Sequence, residues 1–156
     1  MFQALANAIL ATHWQDRALP VEPEVIARAR HIQVIDLPEE DRDRYQGHAI
    51  TSMGREVIYV NPRLIPTRQR FVIAHCLGHI ELKHINPPKE MAYHLSSNTV
   101  DPMEAEANAF ALALMIPSTH LKNRIKNGTH SARELGTIFQ MSELSVYVRM
   151  KDLKII

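Results

Sequence analysis

Apolar positions recur with helical spacing over residues 2 to 16, after which Pro20 and Pro23 close one helix and open another carrying Val25, Ile26 and Ala29. The run IQVID then predicts a short strand, closed by Pro38. GHAITSMGREVIYVNP predicts a β-hairpin with strands near 48 to 53 and 56 to 60, Gly54 supplying the turn. The next apolar face, Phe71, Ala74, Cys76 to Gly78 and Leu82, returns to helical spacing. Thr67 can cap that helix, which runs past His84 until Pro87 and Pro88 stop it. The polar segment from Lys89 to Thr99 predicts a loop of a length usually met at functional sites or in disordered stretches. Asp101 then caps a strong helix, PMEAEANAFALALM, ended by Pro117. Short helices complete the chain, one opened by the capping box Ser131 to Glu134 and one capped by Ser142. This order of elements predicts an α+β fold with a small antiparallel sheet.

A chain of 156 residues with 46% hydrophobic and 22% charged residues is expected to form one soluble domain, 1–156, whose part from 118 to 156 is a helical tail. FALALMI at 110 to 116 is too short to span a membrane. The first seventeen residues lack a basic leader followed by a long apolar core, so a cytoplasmic location is expected. A single cysteine forms no internal disulfide, which agrees with a reducing compartment. Net charge of +1 gives no global attraction to nucleic acid. From Ser118 onward, however, seven basic residues (Lys122, Arg124, Lys126, Arg133, Arg149, Lys151, Lys154) face three acids (Glu134, Glu143, Asp152).

Candidate chemistry sits in FVIAHCLGHIELKH, residues 71 to 84. Residues i and i+4 stack on one helix face, so His75 and His79 can present two imidazoles to one tetrahedral ion, with Gly78 keeping the backbone open beside them. Two histidines at this spacing are also a common surface accident. A catalytic zinc needs a third protein ligand, and the following helix offers Glu104 and Glu106. Glu104 and Asn108 are themselves i and i+4, so the acid can bind the ion while the amide orients a histidine through its free ring nitrogen. Glu106 lies roughly 200° round the helix, at ~100° per residue, and is read as solvated or paired with a base. Glu104 is preferred as ligand, with Glu106 the alternative.

The sequence FVIAHCLGHIELKH followed by EAEANAFALALMIP, with a hairpin before and short helices after, resembles the ImmA/IrrE family of zinc metallopeptidases. The likeness runs from Val57–Val60 to the C-terminus. It implies a zincin-like fold with a zinc-motif helix and a glutamate-ligand helix, Zn2+ as cofactor, His75, His79 and Glu104 as ligands, and Asn108 beside them. It also implies a protein substrate or partner, such as a helix-turn-helix repressor, and no membrane association.

One position departs from that pattern. The family carries a glutamate after the first histidine, the general base that takes a proton from water and passes it to the leaving amine; this chain carries Cys76. A thiol near a cation can be acidic enough, but its sulfur sits two bonds from Cα where a glutamate oxygen sits four, and proton transfer needs an approach of ~3 Å. Three readings follow: a pseudoenzyme that holds a regulatory protein, an inactivated variant of an active enzyme, and a redox-sensing or metal-ligating thiol.

Other residues are weighed beside these. His84 can approach the cleft, but a histidine bonding the last helix carbonyls is the preferred account. Tyr93, His94, His120 and His130 are candidates for stabilising an oxyanion. Val57, Ile58 and Tyr59 are expected to form an edge strand that receives extended substrate. Trp14, Phe110, Leu112 and Leu114 are read as core. The end of the chain has the look of a helix-turn-helix, with a turn at Gln140 to Ser142, for which packing is preferred to contact with nucleic acid.

Overall fold

Alternating side chains make the hairpin: β2 (Tyr45–Ser52) and β3 (Arg55–Val60) are joined by Met53 and Gly54, with φ of 51° and 74°. Two positive φ values twist the turn in the same sense as the strands, and glycine adopts one of them without steric cost. The computed structural model describes residues 1–15, 18–85, 90–94 and 101–156, residues 90 and 94 through their backbones.

β1 (Gln33–Asp36) lies parallel to β3, and β4 (Glu90–His94) lies antiparallel to β2, giving the sheet order β1-β3-β2-β4. The sheet is therefore mixed, not antiparallel throughout. Since β2 intervenes in the chain and reverses direction, β3 returns alongside β1 with the same polarity. This placement corrects the expected role of Val57, Ile58 and Tyr59: β3 has β1 on one side and β2 on the other, so its ladder groups are not free for a substrate. The described edge nearest the histidines is β4, inside the segment expected to be a loop. Its signal is weak: among its described side chains Met91 and Tyr93 turn inward, 8% and 7% exposed. The rest of that segment lies outside the described residues.

Before the sheet, α1 (Phe2–His13) and α2 (Pro23–Ala29) form as expected, and they pack against the helices over Pro102–Met115 and Pro66–Glu81 respectively. Trp14 packs on the core rim, and Phe110, Leu112 and Leu114 are buried in it. The helix α3 (Pro66–Glu81) crosses the sheet and packs against α4 (Pro102–Met115). Its cap is Ile65, not Thr67. Pro66 takes the first helical position, where its missing N–H is no loss, and this moves Thr67 into the first turn. Asp101 caps α4 as expected, its side chain accepting from the Met103 amide.

α3 also ends earlier than its sequence suggests. Lys83 turns left-handed at φ 61°, and the amides of Lys83 and His84 bond back to Ile80 and His79 carbonyls at 3.1 and 2.9 Å. That closure satisfies carbonyls the helix would otherwise leave open, and it stops the helix before the prolines, which lie outside the described residues.

The C-terminal helices α5 (Ser118–Lys126), α6 (Ala132–Phe139) and α7 (Glu143–Asp152) form, with Ser131 and Ser142 accepting from the amides of Glu134 and Ser145. Leu135, Phe139 and Val146 are fully buried. Arg149, a candidate for nucleic-acid contact, is 5% exposed; its guanidinium donates to the Ile116 carbonyl at 3.0 Å and to Gln3. A guanidinium spent inside the molecule cannot neutralise a phosphate, so Arg149 itself serves packing.

The sheet meets α3 closely at Gly47, where an added Cβ would stand 2.5 Å from the Tyr59 carbonyl oxygen of β3 and 2.7 Å from Val72 Cγ1 of α3. Backbone cannot yield there as a flexible side chain would. Gly47→Ala is expected to cost about 1–3 kcal/mol, read as a lower urea midpoint with an unchanged slope.

Candidate metal centre

His75 and His79 sit one turn apart on the buried face of α3, 0% and 1% exposed. Their Nε2 atoms are 3.1 Å apart. Glu104, in the first turn of α4, points both carboxylate oxygens at them, Oε2 at 3.0 Å from His75 Nε2 and Oε1 at 3.1 Å from His79 Nε2. The approach depends on Gly78, whose Cα faces α4: a Cβ there would meet the Ala107 carbonyl oxygen at 3.0 Å and Phe110 at 3.1 Å. A larger residue would hold the helices apart and draw Glu104 away from the imidazoles.

Hydrogen bonds on the outer ring nitrogens decide which atoms face inward. His75 Nδ1 lies 2.8 Å from Asn108 Oδ1, an acceptor, so in the neutral ring Nδ1 carries the hydrogen and Nε2 presents a lone pair. His79 is held at its own Nδ1 by His84, 2.9 Å away. The Tyr93 ring stacks on His75 with centroids 4.1 Å apart. Arg68 steadies that tyrosine, donating to its hydroxyl at 2.8 Å and to Gln46 at 2.5 Å.

The protonation states suit a cation. Burial pushes the His79 pKa below its usual 6.5, offset only in part by Glu104. Burial works to raise the Glu104 carboxyl, but where the imidazole Nε2 atoms carry hydrogens, in place of an ion, their hydrogen bonds and charge hold it down to about 2. A neutral imidazole and an ionised carboxylate are the forms that bind metal.

Does a divalent ion fit? Glu104 Oε2 is buried without a hydrogen-bond donor, as expected when the nearest imidazole nitrogen carries no hydrogen. Two lone pairs and a carboxylate oxygen facing one another around 3 Å repel unless something positive lies between them. A tetrahedral zinc with bonds of about 2.0–2.1 Å needs donors roughly 3.3 Å apart, within a few tenths of an ångström of the three separations here. The donor set fits. His75, His79 and Glu104 form the grouping among the described residues whose ligand atoms all lie within 4.8 Å of one another.

Cys76 does not join that grouping. It is 1% exposed, part of the apolar core, and burial, aided by the Glu104 charge, pushes its thiol far above the ordinary range. Enclosure within the core and absence from the ligand grouping both count against the redox-sensing or ligating reading.

His84 corrects another expectation. Its backbone amide does close α3 on the His79 carbonyl, but its side chain turns inward, between His79 and Glu106 Oε2 at 2.9 Å. Sequence reasoning placed Glu106 on a separate face from Glu104, and from that face it meets His84. No helical spacing could have paired them, because the left-handed Lys83 breaks the periodicity between His79 and His84. Of the oxyanion candidates, Tyr93 lies against the site, His120 and His130 are exposed, and the His94 side chain lies outside the described residues.

Purified protein is expected to bind one zinc per chain, measured by metal analysis after chelation and reloading. His79→Ala and Glu104→Ala should abolish stoichiometric binding, and Glu106→Ala should not.

The family model of Peptidase_M78, the IrrE N-terminal-like domain, matches residues 27–151. A comparison with curated proteins gives no match. That span takes in the sheet, both site helices and nearly all of the helical tail, so this chain belongs to the IrrE N-terminal-like, Peptidase_M78 family of metallopeptidase-like proteins.

Proposed function

We propose that this protein is a zinc-binding, metallopeptidase-like domain that acts on or holds a protein regulator, with hydrolysis reduced or absent. The observation that carries the proposal is a donor set of His75, His79 and Glu104 combined with a buried, neutral Cys76 where the general base belongs. A bound zinc would supply Lewis acidity, polarising a peptide carbonyl and acidifying water toward a pKa of ~7.

The chain's own residues supply the rest of the site. Asn108 accepts from His75 Nδ1 and so holds that imidazole with its lone pair inward. Tyr93, an acceptor from Arg68, keeps its own hydroxyl hydrogen for another acceptor. β4 is the described strand edge beside His75, and an extended polypeptide can add to it by backbone pairing, replacing β3 in that role. Missing from this set is a group that moves a proton. Cys76 is too short and too weakly acidic to do so, and losing such a group costs ~10² to 10⁴ in rate. The expected partner, following the family resemblance, is a helix-turn-helix repressor. A noncatalytic binding module is the second reading, favoured by how fully Cys76 is enclosed.

Cys76→Glu separates the two. The variant and the parent would be loaded with zinc, shown to be folded by circular dichroism, and incubated with unfolded casein and with purified helix-turn-helix repressors. Chelator-sensitive cleavage by the variant, at least ~10² faster than by the parent, supports a peptidase that has lost its base. No cleavage by a folded, zinc-loaded variant supports the binding module.

A further inference from the structure

The side-chain cluster beyond His79 is used by neither the ligand set nor the proposed chemistry. His84 is almost enclosed, its side chain 7% exposed, with one ring nitrogen at His79 Nδ1 and the other at Glu106 Oε2, each at 2.9 Å. Glu106 belongs to α4 and is 41% exposed, so the chain of contacts runs from the solvent edge of α4 through His84 to the inner face of α3. His84 reaches this place through a left-handed residue that is not glycine, Lys83 at φ 61°, a conformation unfavourable for a residue with a Cβ.

The polarity of the cluster follows from its outer end. A carboxylate only accepts, so His84 Nε2 carries the hydrogen and donates to Glu106. In a neutral ring the other nitrogen then has no hydrogen, so His84 Nδ1 accepts. The partner it accepts from is His79 Nδ1–H, which leaves His79 Nε2 as the unprotonated nitrogen facing Glu104. The opposite polarity would set the lone pair of His84 Nε2 against the carboxylate. We propose that His84 and Glu106 are positioning residues, a two-step relay that fixes the tautomer and ring orientation of His79 so that its Nε2 lone pair points into the metal centre.

The relay is to His79 what Asn108 is to His75, with His84 and Glu106 together bridging from the His79 ring to α4. This inference rests on the metal-centre reading above. A cross-link joining α3 to α4 for stability alone is the competing account, and it predicts a change in unfolding with none in metal affinity or tautomer.

The test compares the full-length parent with His84→Phe, Glu106→Ala and Glu106→Gln. Zinc affinity is measured by competition with a chromophoric chelator, urea unfolding is measured on the metal-free proteins, and the His79 ring nitrogens are followed by nitrogen-15 NMR. His84→Phe keeps the ring volume and removes both hydrogen bonds. It is expected to lower zinc affinity 10- to 100-fold, the range typical of lost outer hydrogen-bond partners of metal ligands, and to remove the single Nδ1–H tautomer of His79. Glu106→Ala should weaken binding in the same direction, and Glu106→Gln, whose amide oxygen still accepts from His84, should restore most of it. Because Glu106 is partly exposed, its two variants test the relay even if His84→Phe fails to fold. Zinc affinity and His79 tautomer unchanged in Glu106→Ala, or in a folded His84→Phe, would overturn the relay while leaving the metal centre intact. Failure of the parent itself to bind zinc would overturn both.

Discussion

Two imidazole lone pairs and a carboxylate, brought within 3.1 Å of one another in the interior, form the constraint around which this molecule is arranged. Such a group is unfavourable by itself: the nitrogens repel, and one carboxylate oxygen is buried with no donor. It persists because other contacts determine the position of each member. Asn108 fixes one ring, His84 the other, and Gly78 lets α4 come close enough for Glu104 to reach both. A structure that holds mutually repelling donors in place is prepared for a cation, and the binding energy of the ion offsets the strain of gathering them.

The surrounding fold serves that arrangement. α3 is buried on its histidine face because the sheet lies on one side and α4 on the other, with Gly47 and Gly78 marking places where backbone meets these neighbours without room for a Cβ. Tyr93 adds a ring stacked on His75, and Arg68 and Gln46 hold the tyrosine. The C-terminal helices close the far side, where the Arg149 guanidinium, bonded to the Ile116 carbonyl at the end of α4, ties α7 to the core.

Cys76 lies on the same helix as both histidines but contributes to apolar packing, outside the grouping of His75, His79 and Glu104. In the proposed reading, holding a metal depends on a network of many residues, whereas moving a proton depends on one side chain of sufficient length and acidity.

Much of this was legible along the chain. Helical spacing placed His75 and His79 on one face, the capping residues Asp101, Ser131 and Ser142 marked three helix starts, and the spacing of Glu104 and Asn108 set acid and amide on one side of α4, because each of these is a local regularity of backbone geometry. What the sequence could not contain was set by partners distant in the chain. β3 became an interior strand only when β1 paired with it, β4 became a strand only by lying against β2, and His84 met Glu106 only after Lys83 turned the chain back. Periodicity describes which face of an element is apolar; it says nothing of which other element will cover that face, and that choice, made by packing, assembled the centre.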